Sequence, residues 1–204
     1  MISLPSSERL SLRAFCATDV EMIFRLHNDP KVMRYMPEKA RKGIDRTTAE
    51  AFVSRALAYP EKHPGLGFWV TIERATGNPM GWACLKLLDQ TQEVEIGYRY
   101  LPEFWGKGYG TEISRRVMAY GFESLALPRI VGITQHGNLA SQRVLEKIGL
   151  IYEKDAQFYD SDVRYYALSL EDWCARRKAT NRLAPAARVR RRTATDTTPD
   201  HACC

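Results

Sequence analysis

The sequence predicts one α/β domain built around a mixed sheet. The chain has 204 residues, of which 45% are apolar, and this suits one well-packed domain better than two. Strand and helix patterns follow one another in the order β-α-α-β-β-β-α-β-α-β-β. Several neighbouring strand patterns are separated only by short turns, which is typical of hairpins. Frequent hairpins favour a mixed, mostly antiparallel sheet over a purely parallel, doubly wound one.

The strand predictions rest on alternation of polar and apolar residues and on β-branched runs. The first strand alternates around Leu10 and Leu12. Hairpin turns are predicted at 75–78 and 159–162, where turn-forming residues separate two strand patterns. The predicted strands are 8–13, 68–73, 80–88, 93–101, 129–134, 151–158 and 163–170.

The helix predictions rest on capping residues and helical spacing. Residues 18–21 and 47–50 both read Thr-x-x-Glu, the pattern of a capping box, and each precedes apolar residues at helical spacing. Pro60 is expected to end the second of these helices. The basic segment 31–46 between them is predicted to be irregular. The predicted helices are 18–28, 47–59, 111–125, 138–148 and 171–178.

The net charge of +6 lies in the C-terminal part of the chain. Residues 1–175 hold 22 basic and 22 acidic residues, so the predicted domain, 8–175, is close to neutral. We expect residues 179–204 to form a basic, disordered tail. A neutral domain argues against a nucleic-acid-binding protein, and any contact with RNA would be weak and made through the tail.

Composition also bears on compartment and metal content. No run of 18 apolar residues is present, so no membrane span is expected, and the N-terminus lacks the pattern of a signal peptide. The five cysteines show no Cys-x-x-Cys or metal-ligand spacing. We therefore expect reduced thiols, no metal and a cytoplasmic protein. The terminal pair Cys203-Cys204 leaves lipidation open as an alternative.

A glycine-rich turn lies between a predicted strand and a predicted helix. Gly106, Gly108 and Gly110 recur at every second residue, which lets a ligand approach the backbone and frees amide N–H groups to point at it. The following helix adds the positive end of its dipole, and Lys107 adds a cation. The turn predicts a site for phosphate or pyrophosphate. Its spacing is neither that of the dinucleotide fingerprint nor that of an NTPase phosphate loop.

Three stretches, in order, resemble the GNAT superfamily of N-acetyltransferases. Residues 95–112, EIGYRYLPEFWGKGYGTE, are similar to its acetyl-CoA motif, and residues 138–149, NLASQRVLEKIG, to its second motif. Residues 8–15 resemble the branch that includes the ribosomal-protein N-terminal acetyltransferases, the RimJ/RimL-like enzymes. The resemblance covers about residues 8–175. It implies a single GNAT-like domain whose twisted central sheet is splayed in the middle to take acyl-CoA.

The resemblance also implies how acetyl-CoA is held. The backbone of the strand before the turn would pair with pantetheine, and the amides from Trp105 to Thr111 would hold the pyrophosphate. Asn138 would contact the pantetheine arm and Ser141 would lie near the thiol. Trp105 stands where many superfamily members have Gln or Arg, but Trp followed by Gly is common in the ribosomal-protein branch. The cofactor-binding residues implied in this way are Tyr98, Arg99, Tyr100, Trp105, Gly106, Lys107, Gly108, Tyr109, Gly110, Thr111, Asn138 and Ser141.

The implied reaction is direct attack of an amine on the bound thioester, without a covalent enzyme intermediate. It needs a base for the ammonium proton and an acid for the leaving thiolate. Glu95, at the start of the splayed strand, is the predicted base; its alternative role is a structural carboxylate paired with a neighbouring strand. Many relatives use a Tyr four residues beyond Ser141 as the acid, but Leu145 stands there. Ser141 is therefore the candidate acid, with Tyr152 and Tyr166 as alternatives.

Taken together, these features predict an acyl-CoA-dependent N-acetyltransferase that acts on a primary amine. The acceptor is left open between a protein N-terminus and a small-molecule amine, and the basic segment 31–46 hints at an acidic or phosphate-bearing one. A non-catalytic sensor that binds acyl-CoA or a nucleotide would use the same turn and is the alternative of another class. The expected state is a monomer or a homodimer.

Overall fold

The computed structural model describes residues 4–183, which form seven strands and six α-helices. The strands are β1 (Leu10–Arg13), β2 (Gly67–Glu73), β3 (Pro79–Leu87), β4 (Val94–Tyr100), β5 (Arg129–Gln135), β6 (Ile151–Phe158) and β7 (Ser161–Ser169). The helices are α1 (Val20–Asn28), α2 (Pro30–Met33), α3 (Arg46–Lys62), α4 (Tyr109–Ala119), α5 (Leu139–Lys147) and α6 (Leu170–Leu183). Each predicted strand and helix is present within a few residues of its predicted bounds.

All seven strands form one sheet in the order β1-β2-β3-β4-β5-β7-β6. Every neighbouring pair is antiparallel except β4 and β5, which run parallel. Because β5 and β7 pair directly, β6 lies at the edge of the sheet. The prediction of a mixed, mostly antiparallel sheet is confirmed.

Strands β4 and β5 stay together only where they begin. Val94 pairs with Ile130 and Glu95 with Val131, and no further pair joins the two strands although both continue. Parallel strands that separate leave backbone N–H and C=O groups facing the opening, and such groups need partners. This opening, called the gap below, is the splay in the sheet that the resemblance implied.

Helices cover both faces of the sheet next to the gap. Tyr98 of β4 meets α4, where a Cβ on Gly110 would lie 2.9 Å from its ring. The next residue, Arg99, meets α1 at His27. Successive strand side chains point to opposite faces, so α4 and α1 lie on opposite sides of β4. The two sides of the gap are therefore built by different parts of the chain.

The two predicted capping boxes are wrong in detail. Helix α3 is capped by Asp45, whose carboxylate accepts the N–H of Thr48 at 2.8 Å. Before α1, the Asp19 carboxylate accepts the N–H of Cys16 at 2.8 Å. Thus an aspartate two residues before the predicted threonine caps α3, whereas no described side chain caps α1, because Asp19 instead forms a capping box with Cys16 in the preceding 3₁₀ turn. The pattern therefore located each helix start but not the residue that caps it.

Two helix boundaries also differ from prediction. Pro60 lies inside α3, which continues to Lys62, and beyond the proline the N–H of His63 still donates to the carbonyl of Tyr59 at 3.1 Å. The segment 31–46 was expected to be irregular, but it contains most of α2 and the 3₁₀ turn Glu38–Lys42. This segment is therefore a folded connection between α1 and α3.

At the C-terminus, α6 continues to Leu183, so the first residues of the predicted tail are helical. The rest of that tail, including the pair Cys203-Cys204, lies outside the described residues. Within residues 4–183, no helix combines the length and apolar character needed to cross a membrane.

Candidate active site

The glycine-rich turn joins β4 to α4 and carries a row of free backbone amides. Gly106 and Gly108 have φ of 75° and 79°, a left-handed conformation that favours glycine. No side chain caps α4, and within residues 4–183 no acceptor takes the six N–H groups of residues 106–111. The ammonium of Lys107 lies 5.9 Å from the centre of the Tyr109 ring. Adjacent free donors at a helix start are suited to bind an anion.

The predicted contribution of the Trp105 amide to this row is wrong. Its backbone N–H donates to the carbonyl of Pro102 at 3.0 Å, in the 3₁₀ turn Pro102–Phe104. Its indole Nε1 donates to the carbonyl of Tyr100 at 2.8 Å. Trp105 thus ties the glycine-rich turn to the end of β4, a side-chain role that the sequence did not reveal.

Glu112, in the first turn of α4, would repel a phosphate if its charge were not balanced. Ser7 donates to one carboxylate oxygen at 2.7 Å, and the Arg9 guanidinium binds the other. Burial alone would raise the pKa of Glu112, but the hydrogen bonds from Ser7 and Arg9 outweigh burial and hold that pKa below its ordinary value. The charge of the acid at the start of α4 is therefore balanced by Arg9, whose guanidinium also lies 3.8 Å from where a Cβ on Gly108 would stand.

One wall of the gap is the backbone of β4. Leu101 donates its N–H to the carbonyl of Met80, beside β3, at 2.9 Å. Backbone groups of an antiparallel strand alternate in direction, so those of Arg99 also face β3 while those of Tyr98 and Tyr100 face the gap. The predicted pairing with pantetheine excludes Arg99, because its backbone is used inside the sheet. It stays a prediction for Tyr98 and for the N–H of Tyr100, since the Tyr100 carbonyl already accepts the Trp105 indole.

The opposite wall of the gap is the start of α5. Asn138 caps this helix, since its side-chain oxygen accepts the N–H of Ser141 at 3.2 Å. The Ser141 hydroxyl lies close to the phenol of Tyr98. Burial raises the pKa of Tyr98, and the Ser141 hydroxyl offsets part of that rise. Three of the predicted residues, from β4 and α5, are thus brought together.

Glu95 lies at the closed end of the gap, in a cluster with Lys86 of β3 and Tyr159. One carboxylate oxygen, Oε2, forms an ion pair with Lys86 and accepts the Tyr159 hydroxyl at 3.1 Å. Burial alone would lower the pKa of Lys86, but the Glu95 carboxylate raises it above its ordinary value, so Lys86 is charged at neutral pH. The other oxygen, Oε1, lies 4.0 Å from where a Cβ on Gly97 would stand.

The alternative role for Glu95 was a structural carboxylate paired with a neighbouring strand, and Lys86 on β3 is such a partner. It also contains Tyr159, which sequence reasoning missed. Tyr159 and Asp160 form the turn between β6 and β7 with φ of 53° and 56°, a conformation that an aromatic residue rarely adopts. The hydroxyl of Tyr159 accepts from Lys86 at 2.6 Å, and this contact helps to hold the turn. The sequence signal that could have pointed to Tyr159 is its position as the one aromatic residue in a turn otherwise made of Asp and Ser.

The segment between α1 and α3 crosses to the far side of the gap. The ring of Tyr35 lies 3.3 Å from where a Cβ on Gly137, between β5 and α5, would stand. Lys39 reaches Asp160 in the β6–β7 turn at 3.3 Å. The segment 31–46 therefore covers the face of the sheet that carries Glu95.

Comparison with known proteins identifies this arrangement. Residues 9–151, well over half of the chain, match the family described as "Acetyltransferase (GNAT) domain". The chain belongs to this family. The GNAT membership confirms the resemblance read from the sequence, and the protein is an acetyltransferase that acts on an amine.

Individual relatives agree with the GNAT assignment. The chain is 33% identical to the FsC-acetyl coenzyme A-N(2)-transacetylase of Aspergillus fumigatus, over 78% of this chain and 72% of that protein. It is 27% identical to a GNAT-family acetyltransferase from Bacillus anthracis, with a TM-score of 0.68 over 82% of this chain and 99% of the other.

The ribosomal-protein branch is also represented among the structural neighbours. The ribosomal-protein-S5-alanine acetyltransferase from Vibrio fischeri gives a TM-score of 0.68 over 84% of this chain and 99% of that chain. At 18% identity this likeness shows the fold alone.

The remaining tyrosines suggested as the acid of this GNAT enzyme have other surroundings. Leu145, at the position of the usual tyrosine, is buried and packs where a Cβ on Gly132 would stand. The Tyr166 hydroxyl is fully buried without a partner in the described part of the chain. Tyr152 is exposed, and its hydroxyl donates to Asp155 at 3.0 Å. The Ser141 hydroxyl, by contrast, borders the gap.

Possible metal ligands within residues 4–183 are scattered. No group of three or more His, Cys, Asp or Glu side chains there is arranged to hold a metal ion.

His27 should give the GNAT domain a pH-dependent stability. Burial, together with the Arg99 and Arg55 cations, lowers the pKa of His27 from 6.5 to about 4. The unfolded chain takes up this proton first as the pH falls, so the contribution is complete above about pH 6.5 and is lost toward pH 4. The loss amounts to at most about 3 kcal/mol.

Urea unfolding of the wild type and of His27→Gln, above, within and below that pH window, measures this contribution. The variant should lose less stability than the wild type on acidification. Parallel curves for the two proteins would show that His27 is not the group responsible.

Proposed function

We propose that this enzyme transfers the acetyl group of acetyl-CoA directly to a primary amine, with both substrates bound at the gap. The observation that carries the proposal is the continuity of two sets of backbone groups that lack partners. These are the amides of the turn and the edge of β4, apart from the Tyr100 carbonyl, which accepts the Trp105 indole N–H. The six free N–H groups of residues 106–111 lie next to the strand edge at Tyr98 and Tyr100. A pyrophosphate followed by an amide-containing arm, which is the chemistry of coenzyme A, complements such a surface.

In this proposal the pyrophosphate binds the amides of residues 106–111 and the pantetheine arm pairs with Tyr98 and Tyr100. Asn138 and Ser141 contact the arm from the α5 side. The thioester then lies toward the closed end of the gap, between Ser141 and Glu95. Support comes from the proximity of Ser141 to Tyr98, which places the start of α5 beside β4.

The acceptor amine approaches from the face that carries Glu95. Its nitrogen lone pair attacks the thioester carbonyl carbon, the C–S bond breaks, and the amide product and coenzyme A result. Glu95 takes the ammonium proton through Oε1, directly or through water, while Lys86 and Tyr159 hold Oε2. Because Oε2 is held by two partners, the orientation of Oε1 is fixed as well. Glu95 can therefore act as the base while it also forms a structural ion pair.

The leaving thiolate receives a proton from Ser141. The second proton of the attacking nitrogen, which it loses as the C–S bond breaks, returns to the Ser141 oxygen, so the serine relays a proton without a net loss. The Tyr152 hydroxyl already donates to Asp155, and the Tyr166 hydroxyl is buried, so neither is placed to replace Ser141. A cytoplasmic location and a monomeric or dimeric state stay predictions.

A thiol-release assay tests the proposed activity. The full chain is incubated with acetyl-CoA and a panel of amines that includes peptide N-termini, polyamines, amino acids and aminoglycosides. We expect thiol release that depends on the amine, with an equal amount of acetylated amine by mass spectrometry. Tight binding of acetyl-CoA without release for any amine would favour the sensor alternative and contradict the proposal.

A further inference from the structure

Arg99 is a cation without an acidic partner, on the face of β4 that carries Glu95. Its guanidinium donates to Nε2 of His27 at 3.1 Å and to the sulfur of Met36 at 3.0 Å, and it lies 5.2 Å from the centre of the Trp82 ring. No carboxylate in residues 4–183 comes within ion-pair distance of it. Thioether sulfur is a weak acceptor, so this guanidinium is poorly satisfied.

The surroundings make an unpaired cation costly. Burial lowers the pKa of Arg99 to about 10, and buried charges in proteins are normally paired. Next to it, the indole N–H of Trp82 is buried without an acceptor in the described residues. His27 accepts from Arg99, so it is neutral and contributes no negative charge. The Arg99 guanidinium and the Trp82 indole N–H therefore lie close together, and no oxygen atom in the described residues accepts a hydrogen bond from either.

We propose that Arg99 binds an anionic group of the acceptor, and that the acceptor is therefore an amine that also carries a carboxylate or a phosphate. This inference rests on the proposed acetyl transfer. Glu95 and Arg99 lie four residues apart on one face of β4, about 13 Å along the strand, with Gly97 between them. An acceptor along this face places its amine at Glu95 and its anionic group at Arg99.

Two further features of the structure fit an anionic acceptor. Residue Arg99 as a whole keeps part of its surface accessible although burial lowers the pKa of its guanidinium, so an incoming group can reach it. The segment 31–46, which covers this face, has six basic and two acidic residues. The basic residues of this segment and Arg99 together attract anions and disfavour polycationic amines.

Matched pairs of amines test the preference. The pairs are trialanine against its C-terminal amide, and O-phosphoethanolamine against ethanolamine, compared by kcat/KM in the thiol-release assay. We expect the wild type to prefer the charged member by about tenfold or more, because a charge-assisted hydrogen bond from a shielded arginine contributes that much. The pair with the larger ratio tells a carboxylate from a phosphate acceptor.

Two variants of Arg99 and one control decide its role. Arg99→Gln should bring the ratio of charged to neutral amine close to one, mainly through KM of the charged member, and Arg99→Lys should keep part of the ratio. Arg25→Gln removes an exposed arginine outside the segment 31–46, paired with Glu103, and should keep all of it. Retained coenzyme A binding shows that each variant is folded. A wild type without preference, or a preference that survives Arg99→Gln, would overturn the inference.

A binding measurement separates this inference from the proposed activity. The His27 ring signals are followed by NMR while inorganic phosphate or acetate is added to the chain saturated with coenzyme A. We expect a saturable shift with at least one anion, lost in Arg99→Gln and kept in Arg25→Gln. A saturable shift without turnover of any amine would support the anion site and count against the acetyl transfer. A linear response, or one unchanged in Arg99→Gln, would reject the site.

Discussion

Gly108→Asp is expected to weaken coenzyme A binding by about 100-fold or more, because several charge-assisted hydrogen bonds to the pyrophosphate are lost together. Gly108 precedes α4, and no side chain caps that helix. An aspartate there places a carboxylate beside the free N–H groups of residues 106–111, where it competes with the pyrophosphate and repels it. Isothermal titration with coenzyme A measures the change in Kd.

Gly77→Asp is the matched control for this variant. Gly77 has a φ of 72°, close to the 79° of Gly108, and a Cβ added there meets nothing within 4 Å. Both substitutions carry the same left-handed penalty, about 1 kcal/mol of stability. The control should bind coenzyme A normally. Normal binding by Gly108→Asp would show that the amides after Trp105 do not hold the pyrophosphate, and equal weakening of both would point to general destabilisation.

Glu95→Gln is expected to lower kcat by about 100-fold or more, since a positioned general base contributes that much. Glutamine can keep a hydrogen bond to Lys86 and Tyr159, but it cannot take the ammonium proton. The affinity for acetyl-CoA should stay unchanged, because Glu95 is remote from the free amides. The variant should also lose about 1–3 kcal/mol of stability, because Lys86 loses its carboxylate partner.

The control for Glu95→Gln is Glu153→Gln, which removes another carboxylate paired with a cation, in this case Arg129. Its side chain is 39% exposed, so its loss should change stability little and kcat not at all. Rates are compared at a temperature where thermal unfolding shows every variant to be folded. Unchanged turnover in Glu95→Gln would remove Glu95 as the base and leave it the structural role that its ion pair with Lys86 allows.

The features that the sequence predicted well are local ones. Glycines at 106 and 108 show directly where the chain turns with positive φ, and the strand and helix on either side show where the free amides lie. The second motif likewise located Asn138 and Ser141 at the start of α5. These predictions succeed because conformation within a few residues depends on the residues themselves.

The features that the sequence did not predict depend on contacts between distant residues. Lys86 and Tyr159 meet Glu95 from two other strands or turns, and strand register decides which side chains share a face. The direction of the Arg99 backbone follows from its pairing with β3, which no local pattern reveals. Similarly, the Trp105 amide is used by Pro102 because the chain happens to form a 3₁₀ turn there.

Mass spectrometry of the enzyme and its product tests the central claim of direct transfer. The intact chain is mixed with isotope-labelled acetyl-CoA, first without and then with an amine from the panel that supports thiol release. Direct transfer predicts an unchanged enzyme mass in the first step and labelled acetyl on the amine in the second. Labelled acetyl on the enzyme before the amine is added, and its transfer from there to the amine, would contradict direct attack in the gap.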